Sequence, residues 1–265
     1  MFDRWETKRA LIVVKTYPTP AWKGGEVVCT AAITEEGQWL RLFPIPYRLL
    51  GTESQFEKYQ WIEAKVTKAS SDARPESYNV DMDSIKLLQP RLTTAMNWQS
   101  RKAIVIPLLA PSMCWLREQN IANNRPTLGL VKPSVIKRLR IEPTKADWSP
   151  AEMARLNQLR LIDSTHVQLE KVPYTFFYDF DCSTPDCPGH KMSCTDWEMT
   201  QAFRSWTEKY GDGWEVQFRN RFDSEMREKF DTHFYVGTVH GNPHNWVIVG
   251  LFYPPKTAGE QLNLL

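Results

Sequence analysis

The sequence has no long hydrophobic run, no surplus of either charge and no short motif that announces a reaction. Its longest apolar stretch, residues 246–253, is interrupted by Gly250. A membrane-spanning helix takes about 20 apolar residues, so this stretch reads as a buried strand. The first six residues mix charges and precede an apolar run of only 10–14, which is too short for a secretory signal. Across 265 residues, 33 Lys and Arg stand against 31 Asp and Glu, a net charge of +2. That balance excludes a nucleic-acid binder working by bulk charge and requires any such role to rest on local patches. No Gly-rich phosphate loop, H-E-x-x-H, G-x-S-x-G or dinucleotide fingerprint occurs. Cysteine is scarce and odd in number, at five. With no export signal, this argues against a disulfide framework and for a cytoplasmic protein with reduced thiols.

What is present is ordinary for a globular chain. Apolar residues make up 42% and charged residues 24%, enough to bury a core in one large or two modest domains. Strand-like runs at 10–15, 26–33, 38–43 and 60–68 are separated by turn residues at 23–25 and 34–37. Their spacing suggests a small barrel or a curved antiparallel sheet. Helical patterns follow at 91–102 and 112–123. Ser149-Pro150-Ala151-Glu152 combines a cap, a first-turn proline and a returning carboxylate, opening a helix to about Leu159.

The C-terminal part reads as a strand at 172–180, a Cys/His loop, and then a helix opened by a capping box at Thr195-Asp196-Trp197-Glu198. A second helix sets Trp214, Phe218, Phe222, Met226 and Phe230 at four-residue steps, and strands at 233–239 and 246–253 form a hairpin. The expected fold class is α+β. It comprises an N-terminal barrel or curved sheet, then a mixed α/β part with a zinc-stabilised helix pair and a C-terminal β-hairpin. The expected domains are a β-rich one with a helical extension at 1–145, a zinc-containing one at 146–255, and a flexible tail at 256–265.

The chemistry concentrates in Cys182, Cys187, His190 and Cys194, spaced C-x4-C-x2-H-x3-C around Pro185, Pro188 and Gly189. Thiolates and imidazole are the ligands tetrahedral zinc prefers, and four protein ligands leave no position open for water. Structural Zn2+ is therefore the expected cofactor, with His240 or His244 the alternative to Cys194 as fourth ligand. The loop resembles zinc knuckles in its Cys-Cys-His-Cys order and compactness, but four residues rather than two separate its first cysteines. Cys29 and Cys114 stand alone on apolar segments and read as core.

Other candidates are weaker. Glu63 and Lys65 share one strand face, as in metal-dependent nucleases, with Asp72 and Arg74 in a nearby loop; solvated barrel surface and a self-closing turn explain the same residues. Lys132, Lys137, Arg138 and Arg140 form the densest basic stretch, and Lys15, Arg41 and Arg48 with nearby tryptophans suggest a second nucleic-acid surface. The chain ends Gln261-Leu262-Asn263-Leu264-Leu265, which resembles the peptides by which bacterial DNA-processing proteins dock on the sliding clamp. That resemblance implies partner contacts through Gln261, Leu262, Leu264 and Leu265.

The expected function is that of a bacterial, zinc-stabilised, nucleic-acid-associated accessory or binding protein in DNA metabolism or phage and mobile-element defence, with no membrane partner. The alternatives are a nuclease-like enzyme at Glu63, Lys65, Asp72 and Arg74, and a protein-interaction subunit of a larger complex.

Overall fold

The computed structural model describes residues 4–22, 25–88, 91–162 and 167–257. It is an α+β protein in two units, and the chain passes between them more than once. One unit comprises Met1–Leu92 and Pro143–Tyr174, the other Thr93–Glu142 and Thr175–Leu265. The expected break near 145 differs from this division. The helical extension 93–142 folds with the second unit, and the segment 143–174 folds with the barrel.

The first unit is built from β1 (Glu6–Lys15), β2 (Thr19–Ala21), β3 (Gly25–Thr34), β4 (Trp39–Ile45), β5 (Trp61–Lys68), β6 (Ser77–Val80) and β7 (Lys86–Leu88). Strands β1, β3, β4, β6 and β5 follow one another in hydrogen-bonded order, and β5 returns to β1, closing a five-stranded barrel. Neighbours are antiparallel except β4 and β6, which run parallel. This is the Greek-key order of an OB-type barrel, an architecture that by itself carries no function.

The residues of β1 and β3 explain the closure. Ala10–Val14 and nearly all of β3 are buried rather than alternating, the pattern of a strand covered on both faces. The helix that returns from the second unit supplies the outer cover: it packs on β2 and β3. The chain reaches it by way of α1 (Ala95–Val105), α2 (Met113–Asn123), β8 (Leu128–Val131) and β9 (Val135–Pro143), and the returning helix is α3 (Pro150–Ile162). The Ser149 hydroxyl accepts from the Glu152 amide at 3.3 Å while the Glu152 carboxylate accepts from the Ser149 amide at 2.9 Å, the reciprocal cap that the sequence predicts.

The second unit is completed by β10 (Tyr174–Asp181), β11 (His190–Cys194), α4 (Trp197–Tyr210), α5 (Trp214–Arg219), α6 (Glu225–Glu228), β12 (His233–Val239) and β13 (Asn242–Phe252). Its six-stranded sheet has the order β8-β12-β13-β11-β10-β9. Aromatic side chains from α4 and α5 cover β10: Phe176 stacks on Phe218 at 4.5 Å, Trp214 meets Phe203 edge-on at 4.7 Å, and the Tyr178 hydroxyl donates to the Phe222 carbonyl at 2.6 Å.

The four-residue aromatic stripe is a poor match to a regular helix. Each step advances about 40° beyond a full turn, so four steps would carry the stripe about 160° around the axis. The structure compensates with a π turn at Asn220–Ser224 between α5 and α6. A π turn absorbs an extra residue, and Trp214, Phe218, Phe222 and Met226 all remain buried.

The cap of α4 is Asp196 rather than Thr195. One Asp196 carboxylate oxygen accepts from the amides of Glu198 at 2.7 Å and Met199 at 3.4 Å, and the other accepts from the amide of Leu251 at 3.0 Å. A single buried carboxylate thus joins the start of a helix to the central strand β13. Asp196→Ala removes the cap and orphans a buried strand amide, which should lower stability by about 2–4 kcal/mol in urea unfolding of the full chain. Asp196→Asn should recover only part of the loss, because an amide cannot accept on both sides.

Candidate metal centre

Three stretches of the second unit converge at one point. The first is the start of α2, where Ser112 caps the helix by accepting from the Trp115 amide at 2.9 Å. The second is the loop after β10, and the third is the first residue of β11. The loop is fastened to the helix cap: Thr184 donates to the Ser112 hydroxyl at 2.6 Å, and Ser183 donates to the Pro111 carbonyl at 2.9 Å. Asp186 and Gly189 turn the chain back with positive φ values of 55° and 81°. At Gly189 a Cβ would also crowd the Asp181 carboxylate, 3.2 Å away, which adds to the strain any other residue would meet at this φ.

The result is a cage of Cys114, Cys182, Cys187 and His190, whose ligand atoms all lie within 4.8 Å of one another and could hold a metal ion. All six edges are short. The sulfur–sulfur separations are 3.5 Å (Cys182–Cys114), 3.4 Å (Cys182–Cys187) and 3.9 Å (Cys114–Cys187). The separations from His190 Nε2 to Cys114, Cys187 and Cys182 are 3.6, 3.3 and 3.3 Å. None of the cysteines is in a disulfide. The Cys182 amide also points at the Cys187 sulfur, at 3.4 Å.

The protons are shared unequally. Burial, together with hydrogen bonds to Cys182 and Cys187, pushes the Cys114 thiol up to about 12. Burial also opposes ionisation of Cys182, but the amides of Thr184 and Cys114 and the side chain of His190 outweigh it and bring that thiol down to about 5. Between these two thiols the polypeptide alone favours ionisation of Cys182; a central cation would favour thiolates further.

The fourth side chain of the cage is Cys114, not the expected Cys194. The expectation treated 182–194 as one loop, whereas residues 190–194 form β11. Four strand residues at about 3.3 Å each carry Cys194 about 13 Å from His190, where it is buried opposite Phe176 and Ile248. The hairpin histidines are elsewhere too: His244 Nδ1 lies 2.9 Å from the Asn120 side chain. Nothing in sequence spacing links Cys114 to a loop about 70 residues away. Its one local signal is its place in the first turn of α2, two residues after the Ser112 cap.

Most of the remaining candidates that lie among the described residues have structural partners. Arg41 is buried inside the barrel, 1% exposed, and therefore presents no nucleic-acid surface. Arg48 pairs with buried Glu26 at 3.0 Å and donates to the Val167 carbonyl at 2.6 Å, while Lys15 lies over the Tyr47 ring at 3.8 Å. Glu63 pairs with Lys86 at 3.3 Å and Lys65 is exposed on the same strand. Asp72 grips Arg74 at 2.6 and 2.8 Å and accepts from Ser77 at 2.7 Å, so these two close their own turn. In the basic stretch, Lys132 pairs with Asp231, Lys137 with Asp181, and Arg138 and Arg140 with Asp179. Gln261, Leu262, Leu264 and Leu265 lie outside the described residues.

Comparison with known families adds one identification. A family model described as a Domain of unknown function (DUF8757) matches residues 109–265, more than half of the chain. The chain belongs to this family. A second model, likewise a Domain of unknown function (DUF8758), matches residues 6–107, and no curated protein matches the chain. The DUF8757 match contains all four cage residues, so the cage lies wholly within that family's span. It also includes residues 143–174, which the structure assigns to the barrel unit.

Two outcomes test these assignments. Cys114→Ser should weaken metal retention against a chelator by more than about 100-fold, while Cys194→Ala should retain metal as the unmodified chain does. Retention by Cys114→Ser would remove that residue from the cage. For Asp72, burial raises the pKa but hydrogen bonds from Arg74 and Ser77 outweigh it and hold the carboxyl well below the usual range. A depressed pKa stabilises the fold above the unfolded value of about 4 and is lost as pH falls further. Asp72→Asn should accordingly be less stable than the unmodified chain at pH 7, with the gap closing in unfolding measured between pH 4 and pH 2.

Proposed function

We propose that the protein is a zinc-stabilised, nucleic-acid-associated binding protein of the cytoplasm. The metal would be structural, and the contact surface would lie in the second unit. The observation that carries the metal assignment is the shape of the cage. Tetrahedral zinc with bonds of about 2.3 Å to sulfur and 2.0–2.1 Å to nitrogen requires sulfur–sulfur edges of about 3.8 Å and sulfur–nitrogen edges of about 3.6 Å. The six edges of the cage, 3.4–3.9 Å and 3.3–3.6 Å, fit that figure within a few tenths of an ångström. Three sulfurs and one imidazole also suit zinc better than a hard cation. Four ligands from the chain fill the tetrahedron, which favours a fastening role over a catalytic one.

The nucleic-acid reading is supported by what the cage holds in place. A cleft of about 610 Å³ opens beside it, lined by Arg117, Lys137, Arg138 and Lys191, together with Asp179 and His190 itself. This supplies the local positive charge that the balanced composition demands of any nucleic-acid role.

Protein prepared reduced, without added metal, should contain about one zinc per chain by mass spectrometry; absence of zinc would overturn the metal assignment. Two to four phosphate contacts should make affinity for a labelled oligonucleotide fall about 7- to 50-fold between 50 and 200 mM salt. Failure to bind DNA or RNA at either salt concentration would overturn the nucleic-acid reading.

A further inference from the structure

Beside the basic cleft runs a second groove, of about 530 Å³, with Trp115, Ile121, Pro185 and Pro188 on its walls. The two adjoin, because Arg117, Pro188 and His190 line both. The groove is apolar where the cleft is cationic. Its tryptophan, 38% exposed, and Ile121, 68% exposed, sit on α2, the helix whose first turn provides Cys114. Large apolar side chains this accessible beside a charged cleft mark a contact surface.

The cations of the cleft fall into two kinds. Lys137 is held by Asp181 at 2.7 Å and Arg138 by Asp179 at 2.8 Å. Arg117 and Lys191 make no ion pair among the described residues, and the Arg117 Nε is buried without a hydrogen-bond partner. Arg117 stands where groove and cleft meet, next to Glu118, which is the acid on the groove side. The surface thus offers an indole for a flat apolar group and, adjoining it, two uncommitted positive charges.

We infer that the adjoining groove and cleft bind single-stranded nucleic acid, with a base stacked on Trp115 and the neighbouring phosphates on Arg117 and Lys191. The inference rests on the nucleic-acid reading above and specifies its form. A single strand presents base faces and phosphates side by side, whereas a duplex hides the faces within its stack and would leave Trp115 and Ile121 in water. An acidic peptide matches the charge but offers the indole no π face to stack on. Anchorage is supplied by the cage: Cys114 precedes Trp115 directly, and His190 precedes Lys191, so the stacking residue and one phosphate contact are each adjacent to a cage side chain.

The test measures fluorescence anisotropy of labelled dT12, rU12 and a 12-base-pair duplex with the full chain. The unmodified protein should prefer the single strands. Trp115→Ala should weaken single-strand binding about 5- to 150-fold with the salt slope unchanged, and Trp115→Phe should restore most of the affinity. Arg117→Gln combined with Lys191→Gln should lower the slope of log affinity against log salt by about 1.4. Metal content near one per chain in each variant confirms an intact cage. If no oligonucleotide binds the unmodified protein, the broader nucleic-acid reading falls. If oligonucleotides bind but Trp115→Ala and the double variant behave as the unmodified protein does, only this surface is overturned. Equal or tighter binding of the duplex, or of a labelled poly-glutamate peptide, likewise overturns the single-strand assignment.

Discussion

Holding three sulfurs and a ring nitrogen within 4.8 Å of one another constrains the second unit at a place where its secondary structure alone would leave the chain loose. The residues between β10 and β11 have no strand partner, and the start of α2 is distant from them in sequence. The cage joins these segments, and the hydroxyls of Ser112, Ser183 and Thr184 provide a second layer that aligns the loop with the helix cap. A metal at the centre would turn this alignment into folding free energy, since a preformed set of ligands does not exist in the unfolded chain. The surface that depends on it includes Trp115, Arg117 and Lys191, which lie on the very elements the cage fastens.

The barrel unit solves a different problem, that of charge in its interior. Arg41 is enclosed, and burial lowers its pKa. An unpaired guanidinium there would be costly, but its Nη1 reaches Ser77 at 3.4 Å, and Ser77 donates in turn to Asp72, which grips Arg74. The loop 69–76 therefore does structural work at the barrel wall. Glu26 is treated similarly by Arg48. Residue types that suggest a nuclease or a phosphate contact when read along the chain are here bound up in holding a small closed sheet together.

The parts of the fold that were legible in the sequence are those dictated by local periodicity. The barrel strands, the capped helix at Ser149, the aromatic helix pair and the terminal hairpin all follow from spacing within about ten residues. The cage was legible in three of its four members. Cys182, Cys187 and His190 fall within one short turn, whereas Cys114 reaches them only through the packing of α2, which no local pattern encodes. Cys194 was misplaced because a five-residue strand, His190–Cys194, has too few alternating positions to be distinguished from a loop rich in cysteine and histidine. The unit boundary was obscured for a related reason: α3 completes the barrel from across an intervening segment, and burial on β3 is a property of the folded chain.

Charge shows the same gap between sequence and space. The stretch 132–140 carries Lys132, Lys137, Arg138 and Arg140 with no acid among them, yet each meets a carboxylate from another segment: Asp231, Asp181 or Asp179. Strand β9 lies at the sheet edge beside β10, so Lys137, Arg138 and Arg140 pair with acids of that neighbour, while the Lys137 and Arg138 side chains stay more than half exposed. A run of like charge in sequence becomes a set of ion pairs, those of β9 cross-strand, each worth little in stability. Arg117 and Lys191, by contrast, are isolated cations in unremarkable sequence, and it is the convergence of α2 with β11 that sets them at one cleft. Positive potential available to an external anion is therefore governed by which cations lack a carboxylate after folding, and on this surface those are the two that composition and clustering would rank last.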